Sequence, residues 1–350
     1  MSDTMLAGRL DLRSGAFAVE EIPVPRPGPG QVRVKVEAAG ICLSDVHLID
    51  GSLKPVRTQA DKITLGHETA GVVDALGPGV PAEWTVGRRV LLQAGERCGT
   101  CRSCERFTAP CLRLLTRGVD YDGGWAEYAL AGHHTLVALP DDLPFEQAAI
   151  IPDAVSTPWS AITLTGRARA ARPAGVWGTG GLGAHAVQLL RLVGAAPVIA
   201  VDPLEAARRR ALDFGADLAL DPADPGLRAR ILAATDGHGL DLALDTAGVP
   251  AVREQAAGCL AADGRLVLVG LGPGPLTVGN SIAFSVRHQQ ILGHYGSEPG
   301  HVDELVTLAR LGRLDLGRSI SGTLPLAEAA AGVERLRKKE GDPIRLVLTP

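Results

Sequence analysis

The segment Gly178-Thr179-Gly180-Gly181-Leu182-Gly183 narrows the folding options more than any other stretch of this 350-residue chain. The pattern Gly178-x-Gly180-x-x-Gly183 sits between the apolar pair Val176-Trp177 and a segment whose apolar residues Leu182, Ala186, Leu189, Leu190 and Val193 recur at helical spacing. In a strand–turn–helix this is a dinucleotide-binding fingerprint. The first glycine permits the tight turn, the second lets a pyrophosphate approach the backbone, and the third lets helix and strand pack. The phosphates would meet the positive end of the helix, which makes Gly178, Gly180, Gly181, Leu182 and Gly183 candidate cofactor contacts. Asp202 closes the next apolar run, 24 positions after Gly178, where a carboxylate would accept hydrogen bonds from the adenosine ribose. The same charge would repel a 2′-phosphate, so NAD is expected rather than NADP. The competing reading is an ordinary strand–helix turn followed by a capping Asp.

The surroundings of the loop favour the fingerprint. From about residue 175, apolar strands alternate with helix-length segments: Val198 to Val201, Leu218 to Leu220, Leu242 to Leu244 and Leu266 to Val269. Strands covered on both faces by crossover helices read as continuous apolar runs, so this half is α/β with a doubly wound parallel sheet. Residues 1–153 read differently, as short strands broken by turns: Val32, Val34 and Val36 alternate with Arg33 and Lys35, and Gly77-Pro78-Gly79 marks a turn further on. After about 295 come a helical pattern, Val302 to Leu311, an Ala-rich helix near Ala327 to Ala331, and a last apolar strand, Ile344 to Leu348, with no obvious core of their own. A length of 350 residues suits two domains. Net charge is −4 and no basic run exceeds Arg208-Arg209-Arg210 or Arg337-Lys338-Lys339, which excludes the phosphate-neutralising footprint of a nucleic-acid binder. No apolar run reaches the length of a membrane span and no leader pattern opens the chain, so a cytoplasmic protein is expected.

Four of the six cysteines, Cys98, Cys101, Cys104 and Cys111, lie within fourteen positions. In a chain without a leader, that spacing offers four soft ligands to a closed, tetrahedral, structural zinc site. An iron–sulfur cluster has the same ligand type, and surface thiols or a redox pair are the bland alternative. Cys42, His67 and Asp153 supply a thiolate, an imidazole and a carboxylate, the three-ligand set that leaves a catalytic zinc one open position. They are far apart in sequence, and singly each reads as a buried Cys, a satisfied core His or a boundary Asp.

Taken together, these segments resemble the zinc-dependent alcohol dehydrogenases of the medium-chain dehydrogenase/reductase family over nearly the whole chain. Gly40-Ile41-Cys42-Leu43-Ser44-Asp45-Val46-His47 resembles the first zinc-ligand segment, and Gly66-His67-Glu68-Thr69-Ala70-Gly71 the glycine–histidine–glutamate signature. The cysteine cluster resembles the structural-zinc loop, with one residue fewer than is common between Cys104 and Cys111. The resemblance implies a GroES-like β-rich catalytic domain over 1–153, completed by 296–350, and a Rossmann-type NAD-binding domain over 154–295. Cys42, His67 and Asp153 become catalytic-zinc ligands, Glu68 the carboxylate behind the metal, and Ser44 and His47 a proton relay. Thr157 becomes a neighbour of the nicotinamide, although it also reads as a helix N-cap before Pro158. Two departures stand out. Asp153 occupies a position where many relatives carry Cys and some secondary-alcohol dehydrogenases of the family carry Asp. Leu43 stands where some relatives place a base on the pyrophosphate, which shifts that role towards Arg345.

The resemblance thus implies hydride transfer between an alcohol, a secondary one being favoured, and NAD, with one catalytic and one structural zinc per chain. A homodimer or homotetramer acting on a small alcohol or carbonyl compound is expected. Leu53, Trp125, Trp159 and Tyr295 are candidates for the substrate surroundings. A polyol or sugar dehydrogenase would share every motif. A zinc-free quinone or enoyl reductase would lack the three metal donors, and a non-catalytic zinc- and NAD-binding scaffold would have no use for Ser44 and His47.

Overall fold

The computed structural model describes residues 3–58, 60–106, 110–298 and 300–350. The chain divides into two compact units, Met1–Ala154 with Glu298–Pro350, and Val155–Ser297.

The first unit is built on a twisted, mostly antiparallel sheet. Its strands run in the order Leu136–Ala138, Arg89–Leu92, Thr69–Leu76, Gln31–Ile41, Arg345–Thr349, Ile320–Pro325, with Tyr128–Gly132 also pairing with Gln31–Ile41. The alternation in Gln31–Ile41 is realised as expected of a half-covered strand. Val32, Val34 and Val36 enter the core while Lys35 faces out. The terminal strand explains why the tail showed no core of its own. Arg345–Thr349 inserts beside Gln31–Ile41, pairing Leu346 with Ile41 and Leu348 with Ala39, and lends its apolar side chains to this unit. The Ala-rich segment forms the helix Ala329–Arg337, whose Gly332 lies so close to Ile41 that a Cβ would meet Ile41 Cδ1 at 2.5 Å.

The second unit is a six-stranded parallel sheet in the order Leu218–Leu220, Val198–Val201, Ala174–Trp177, Leu240–Asp245, Leu260–Leu268, Gln290–Gly293. This is the doubly wound, Rossmann-type order, reversing direction between Ala174–Trp177 and Leu240–Asp245, where ligands of such sheets bind at the carboxyl ends of the strands. The sixth strand, Gln290–Gly293, leaves no signal in the sequence because it is short and carries no apolar run; as an edge strand it is not buried on both faces. One local expectation is corrected. Thr157 is not a helix N-cap: a π-turn, Ile151–Val155, runs directly into the helix Ser156–Ser160, so the residue before the helix, Val155, is itself helical and Thr157 lies inside. Among the described residues, no helix is long and apolar enough to cross a membrane.

Candidate functional site

Strand register assembles the first site from distant segments. Ala39 pairs with Thr69 and the Gly40 N–H donates to the Glu68 carbonyl at 2.9 Å, which sets His67 and Glu68 beside Ile41 and Cys42. Leu346 pairs with Ile41 from the other side, which brings Arg345 to the same end of the sheet. The helix Phe145–Ala149 packs on strands Gln31–Ile41 and Thr69–Leu76, and the π-turn after it carries Asp153. π-turns of this kind recur where a helix must aim a functional side chain. Gly66 is constrained twice: its φ is +96°, and a Cβ would meet Trp125 Cδ1 at 2.2 Å. Gly40 is constrained by Glu68, whose Oε2 would lie 2.0 Å from a Cβ there.

At this convergence Cys42 Sγ lies 3.5 Å from Asp153 Oδ2, and His67 Nε2 lies 3.4 Å from the same oxygen. Tetrahedral zinc, with bonds of about 2.3 Å to sulfur and about 2.0–2.1 Å to nitrogen or oxygen, holds ligand atoms about 3.5 Å (S to O) and about 3.4 Å (N to O) apart. The three donors therefore fit the ion. Cys42 and His67 are buried, and the donor set is the thiolate–imidazole–carboxylate mixture that zinc accepts. Glu68 is grouped with them, every candidate ligand atom lying within 4.8 Å of the others. It is fully buried, its Oε1 lying 2.9 Å from Arg345 Nη2 and accepting the Ala154 N–H at 3.2 Å, while Oε2 has no hydrogen-bond partner.

The electrostatics are those of an acid-rich interior. Burial pushes the Glu68 carboxyl above the usual carboxylate range, with Arg345 opposing and Asp153 adding to the shift. Burial likewise raises Asp45, against the pull of His67. For His67 burial disfavours the charged ring, but Asp45 and Asp153 outweigh it and hold the imidazole well above its ordinary range. Carboxylates and a thiolate crowded around one imidazole and one guanidinium are an environment that a dication completes.

Asp45 falls within the first zinc-ligand segment, yet its position in the sequence assigns it no role. Its Oδ1 faces His67 Nδ1 at 3.7 Å, both atoms buried without hydrogen-bond partners, and its Oδ2 accepts the Cys42 N–H at 2.8 Å. A carboxylate behind a metal-binding imidazole orients the ring and fixes its tautomer. Its place as the third residue, in the first turn, of the helix that Cys42 precedes was the available signal. That helix, Leu43–Ile49, also carries Ser44, with Oγ 3.6 Å from Cys42 Sγ, and His47, half-exposed one turn on. Arg345 is 2% exposed, and its guanidinium is set between Glu68 and Asp153, the latter at 3.9 Å. Trp125 is fully buried and donates its indole N–H to the Gly40 carbonyl at 2.9 Å, so it belongs to the core and lines no substrate space. Leu53 packs partly buried against the same core, and Tyr295 of the other unit is 56% exposed.

The four clustered cysteines converge as well. Their Sγ–Sγ separations are 3.5 Å (Cys101–Cys104), 3.6 Å (Cys98–Cys111), 3.9 Å (Cys101–Cys111) and 4.0 Å (Cys98–Cys104), with no disulfide. A tetrahedral thiolate zinc has sulfur–sulfur edges of about 3.8 Å, which these values bracket. Backbone N–H groups aimed at the sulfurs favour thiolates: those of Cys104 and Leu112 help pull Cys101 down to about 6. The missing residue between Cys104 and Cys111 does not prevent convergence.

In the second unit, the glycine loop comes after strand Ala174–Trp177 and opens helix Gly183–Leu192. Gly178 has φ +87°, a Cβ at Gly180 would meet nothing within 4 Å, and a Cβ at Gly183 would strike the Gly178 carbonyl oxygen at 1.8 Å. The three glycines thus make a turn, an open approach and a close helix–strand contact. The helix has no side-chain cap, and although the Ala184 N–H is bonded to the Gly180 carbonyl at 2.9 Å, the positive end of the helix faces the loop and favours an anion. Asp202, 7% exposed, accepts the Thr179 N–H at 2.7 Å on Oδ2 and the Leu204 N–H at 2.9 Å on Oδ1. It ties the loop to the second strand. Oδ2 also accepts the Thr179 hydroxyl at 3.2 Å, which leaves Oδ1 a further lone pair for a ribose hydroxyl. Thr157, 6% exposed, lies in the same unit.

Known proteins show the same plan. Residues 28–141 match the alcohol dehydrogenase GroES-like domain and residues 181–310 the zinc-binding dehydrogenase family. The chain is 33% identical over 360 residues to an NDMA-dependent alcohol dehydrogenase of Amycolatopsis methanolica, covering 95% of each chain. It is 32% identical over 327 residues to an L-threonine 3-dehydrogenase of Pyrococcus horikoshii, covering 90% of each. Its structure superposes on that of acetophenone reductase from Geotrichum candidum in complex with NAD, with a TM-score of 0.86, 28% identity and coverage of 100% of this chain and 98% of the other.

Proposed function

This chain belongs to the zinc-binding dehydrogenases with an alcohol dehydrogenase GroES-like domain, and from that premise we propose that it transfers hydride reversibly between a small secondary alcohol and NAD. The observation that carries the reading is Asp153 Oδ2 at zinc-ligand separations from both Cys42 Sγ and His67 Nε2, with all the candidate ligand atoms within 4.8 Å of one another and the Ser44 hydroxyl beside Cys42. Zinc bound there supplies a Lewis acid that acidifies an alcohol or polarises a carbonyl, and NAD at the glycine loop supplies the hydride acceptor.

The chain's own groups divide the remaining work. Cys42, His67 and Asp153 hold the metal, with Asp45 orienting the His67 ring. Glu68, poised behind them with one unpartnered oxygen, is an alternative donor, and Arg345 balances its charge. Ser44 accepts the proton that the alcohol gives up, and His47, half-exposed, hands it to water. Gly178, Gly180, Gly181, Leu182 and Gly183 receive the pyrophosphate, and Asp202 the adenosine ribose. Thr157 flanks the nicotinamide, and Arg345 is the remaining candidate for a pyrophosphate contact. Cys98, Cys101, Cys104 and Cys111 hold a second, structural zinc. A secondary alcohol is favoured by the names of two relatives: carbon 3 of threonine bears a secondary hydroxyl, and reduction of acetophenone creates one.

The protein works as a homo-oligomer in the cytoplasm, where the cysteines stay reduced. Pairing is supported by the edge strand Gln290–Gly293, with Leu271, Leu276, Ile282 and Val286 exposed in the segment before it. The test is a spectrophotometric screen of primary, secondary and polyol substrates with NAD and NADP, before and after chelation and zinc replacement. Secondary alcohols with NAD should give a zinc-dependent rise in NADH absorbance. A preference for polyols would replace the substrate class. Zinc-loaded protein that reduces no NAD with any alcohol would leave a binding scaffold.

A further inference from the structure

We propose that Ser52 and Asp50 are positioning residues for the proton relay: they hold His47 as its Nδ1–H tautomer and keep Nε2 as the basic nitrogen. The functional consequence rests on the dehydrogenase reading above; the tautomer assignment does not.

The helix Leu43–Ile49 is closed by Asp50, and Gly51 then takes a φ of +77°, a left-handed turn that glycine adopts without strain. The Gly51 N–H reaches the Leu48 carbonyl at 3.3 Å and the Leu53 N–H the His47 carbonyl at 2.9 Å, so the chain folds back and sets Ser52 over the last turn. There Ser52 donates its N–H to Asp50 Oδ1 at 2.9 Å, its Oγ lies 2.6 Å from the same oxygen, and Oγ is 3.0 Å from His47 Nδ1.

A serine hydroxyl has one proton and two lone pairs. Among an anionic carboxylate oxygen at 2.6 Å, an imidazole nitrogen at 3.0 Å and the His47 carbonyl oxygen at 3.5 Å, the proton goes to the carboxylate, the charge-assisted and shortest contact. Asp50 remains a carboxylate at neutral pH, since the hydrogen bonds from Ser52 hold it below its usual range and His47 adds to the effect. Ser52 Oγ therefore turns a lone pair towards His47 Nδ1, and Nδ1 must carry the hydrogen. Asp50 Oδ2 lies 3.8 Å from the same nitrogen and favours that N–H electrostatically. Among the described residues, Arg337, on the helix Ala329–Arg337 packed alongside, is a further charged group that interacts with Asp50. Ser44 lies three residues before His47, on the same helix face. With Nδ1 committed to Ser52, Nε2 alone can take the proton arriving from Ser44, and it returns that proton to water. No metal donor takes part.

Long-range 1H–15N spectra of the zinc-loaded, cofactor-free protein at about pH 8.5, where an ordinary imidazole is neutral, read the tautomer directly. The His47 signals are assigned by their loss in His47→Gln. Wild type should show a protonated Nδ1 and an unprotonated Nε2. Asp50→Ala frees the Ser52 proton to point at Nδ1 and should reverse the tautomer; Ser52→Thr should preserve it, and Ser52→Ala should give a mixture. In steady-state assays Ser52→Ala should lower kcat about tenfold with KM for NAD changed less than about twofold, and Ser52→Thr should restore kcat. An Nε2–H tautomer in wild type, or one unchanged in both Asp50→Ala and Ser52→Ala, overturns the proposal. Wild-type protein with the Nδ1–H tautomer but no alcohol oxidation overturns the proposed reaction and leaves the assignment supported.

Discussion

Arg345→Met is expected to destabilise the first unit through the charge it strands rather than through the volume it removes. Arg345 Nη2 lies 2.9 Å from Glu68 Oε1, and the two residues are 2% and 0% exposed. At an effective dielectric near 20, unit charges at that separation attract by about 6 kcal/mol, much of it offset by the desolvation of both groups. Removing one partner forfeits the attraction and keeps the desolvation of the other, which costs about 3–5 kcal/mol in buried pairs. For a unit of this size, that corresponds to a fall in Tm of about 6–20 °C. Glu68→Gln in the same chain removes the stranded charge, so Arg345→Met/Glu68→Gln should recover at least about half of the loss. Calorimetry of the four zinc-loaded proteins at about pH 9, above the value of about 8 to which burial pushes the Glu68 carboxyl, makes the measurement. A fall under about 3 °C for Arg345→Met, or a double variant no more stable than the single, refutes the reasoning, because the guanidinium would then act as filler and not as a counter-charge.

The metal-type site beside Cys42, the Asp202 carboxylate and the glycine loop give three further outcomes. Asp153→Ala should abolish turnover and release the zinc beside Cys42 while leaving the NAD dissociation constant within about twofold; metal analysis should fall from about two ions per chain to about one, and near-wild-type rate and zinc content would remove Asp153 from the metal site. Asp202→Gly should lower the preference for NAD over NADP at least about tenfold in kcat/KM, and should cost about 1 kcal/mol by orphaning the Thr179 N–H; an unchanged preference would mean that the ribose is held elsewhere. Gly183→Ala must move the helix away from the Gly178 carbonyl, which a Cβ would approach to 1.8 Å, so KM for NAD should rise at least about tenfold with circular dichroism unchanged; wild-type KM would show that the pyrophosphate does not depend on this approach.

The sequence was most informative where function is local. Gly178 to Gly183 carries its own strand, turn and helix, and the four cysteines between 98 and 111 lie on one short loop, so short-range spacing nearly specifies both. It was least informative at the metal site beside Cys42, because Cys42, His67, Asp153 and Arg345 are joined by strand register and helix packing, which leave no spacing signature. Resemblance named those positions; their separations could come only from the folded chain. Asp45 and Trp125 show the same limit in opposite directions. Asp45 has no role in the sequence reading and proves to stand behind the imidazole, whereas Trp125 reads as a possible substrate contact and is buried against Gly40 and Gly66.

What the sequence determined alone was the class of chemistry available: glycines spaced for a dinucleotide, thiols spaced for a closed metal site, and an α/β rhythm after a β-rich half. These depend on neighbours along the chain. What the tertiary structure decided was which donors converge, which carboxylate stands behind His67, and that Arg345, from the last strand, balances Glu68 near the chain's beginning. Such contacts arise because the pairing of Gln31–Ile41 with Thr69–Leu76 and Arg345–Thr349 brings residues together across about 300 positions, and pairing across that distance is set by burial of the whole sheet and not by local sequence.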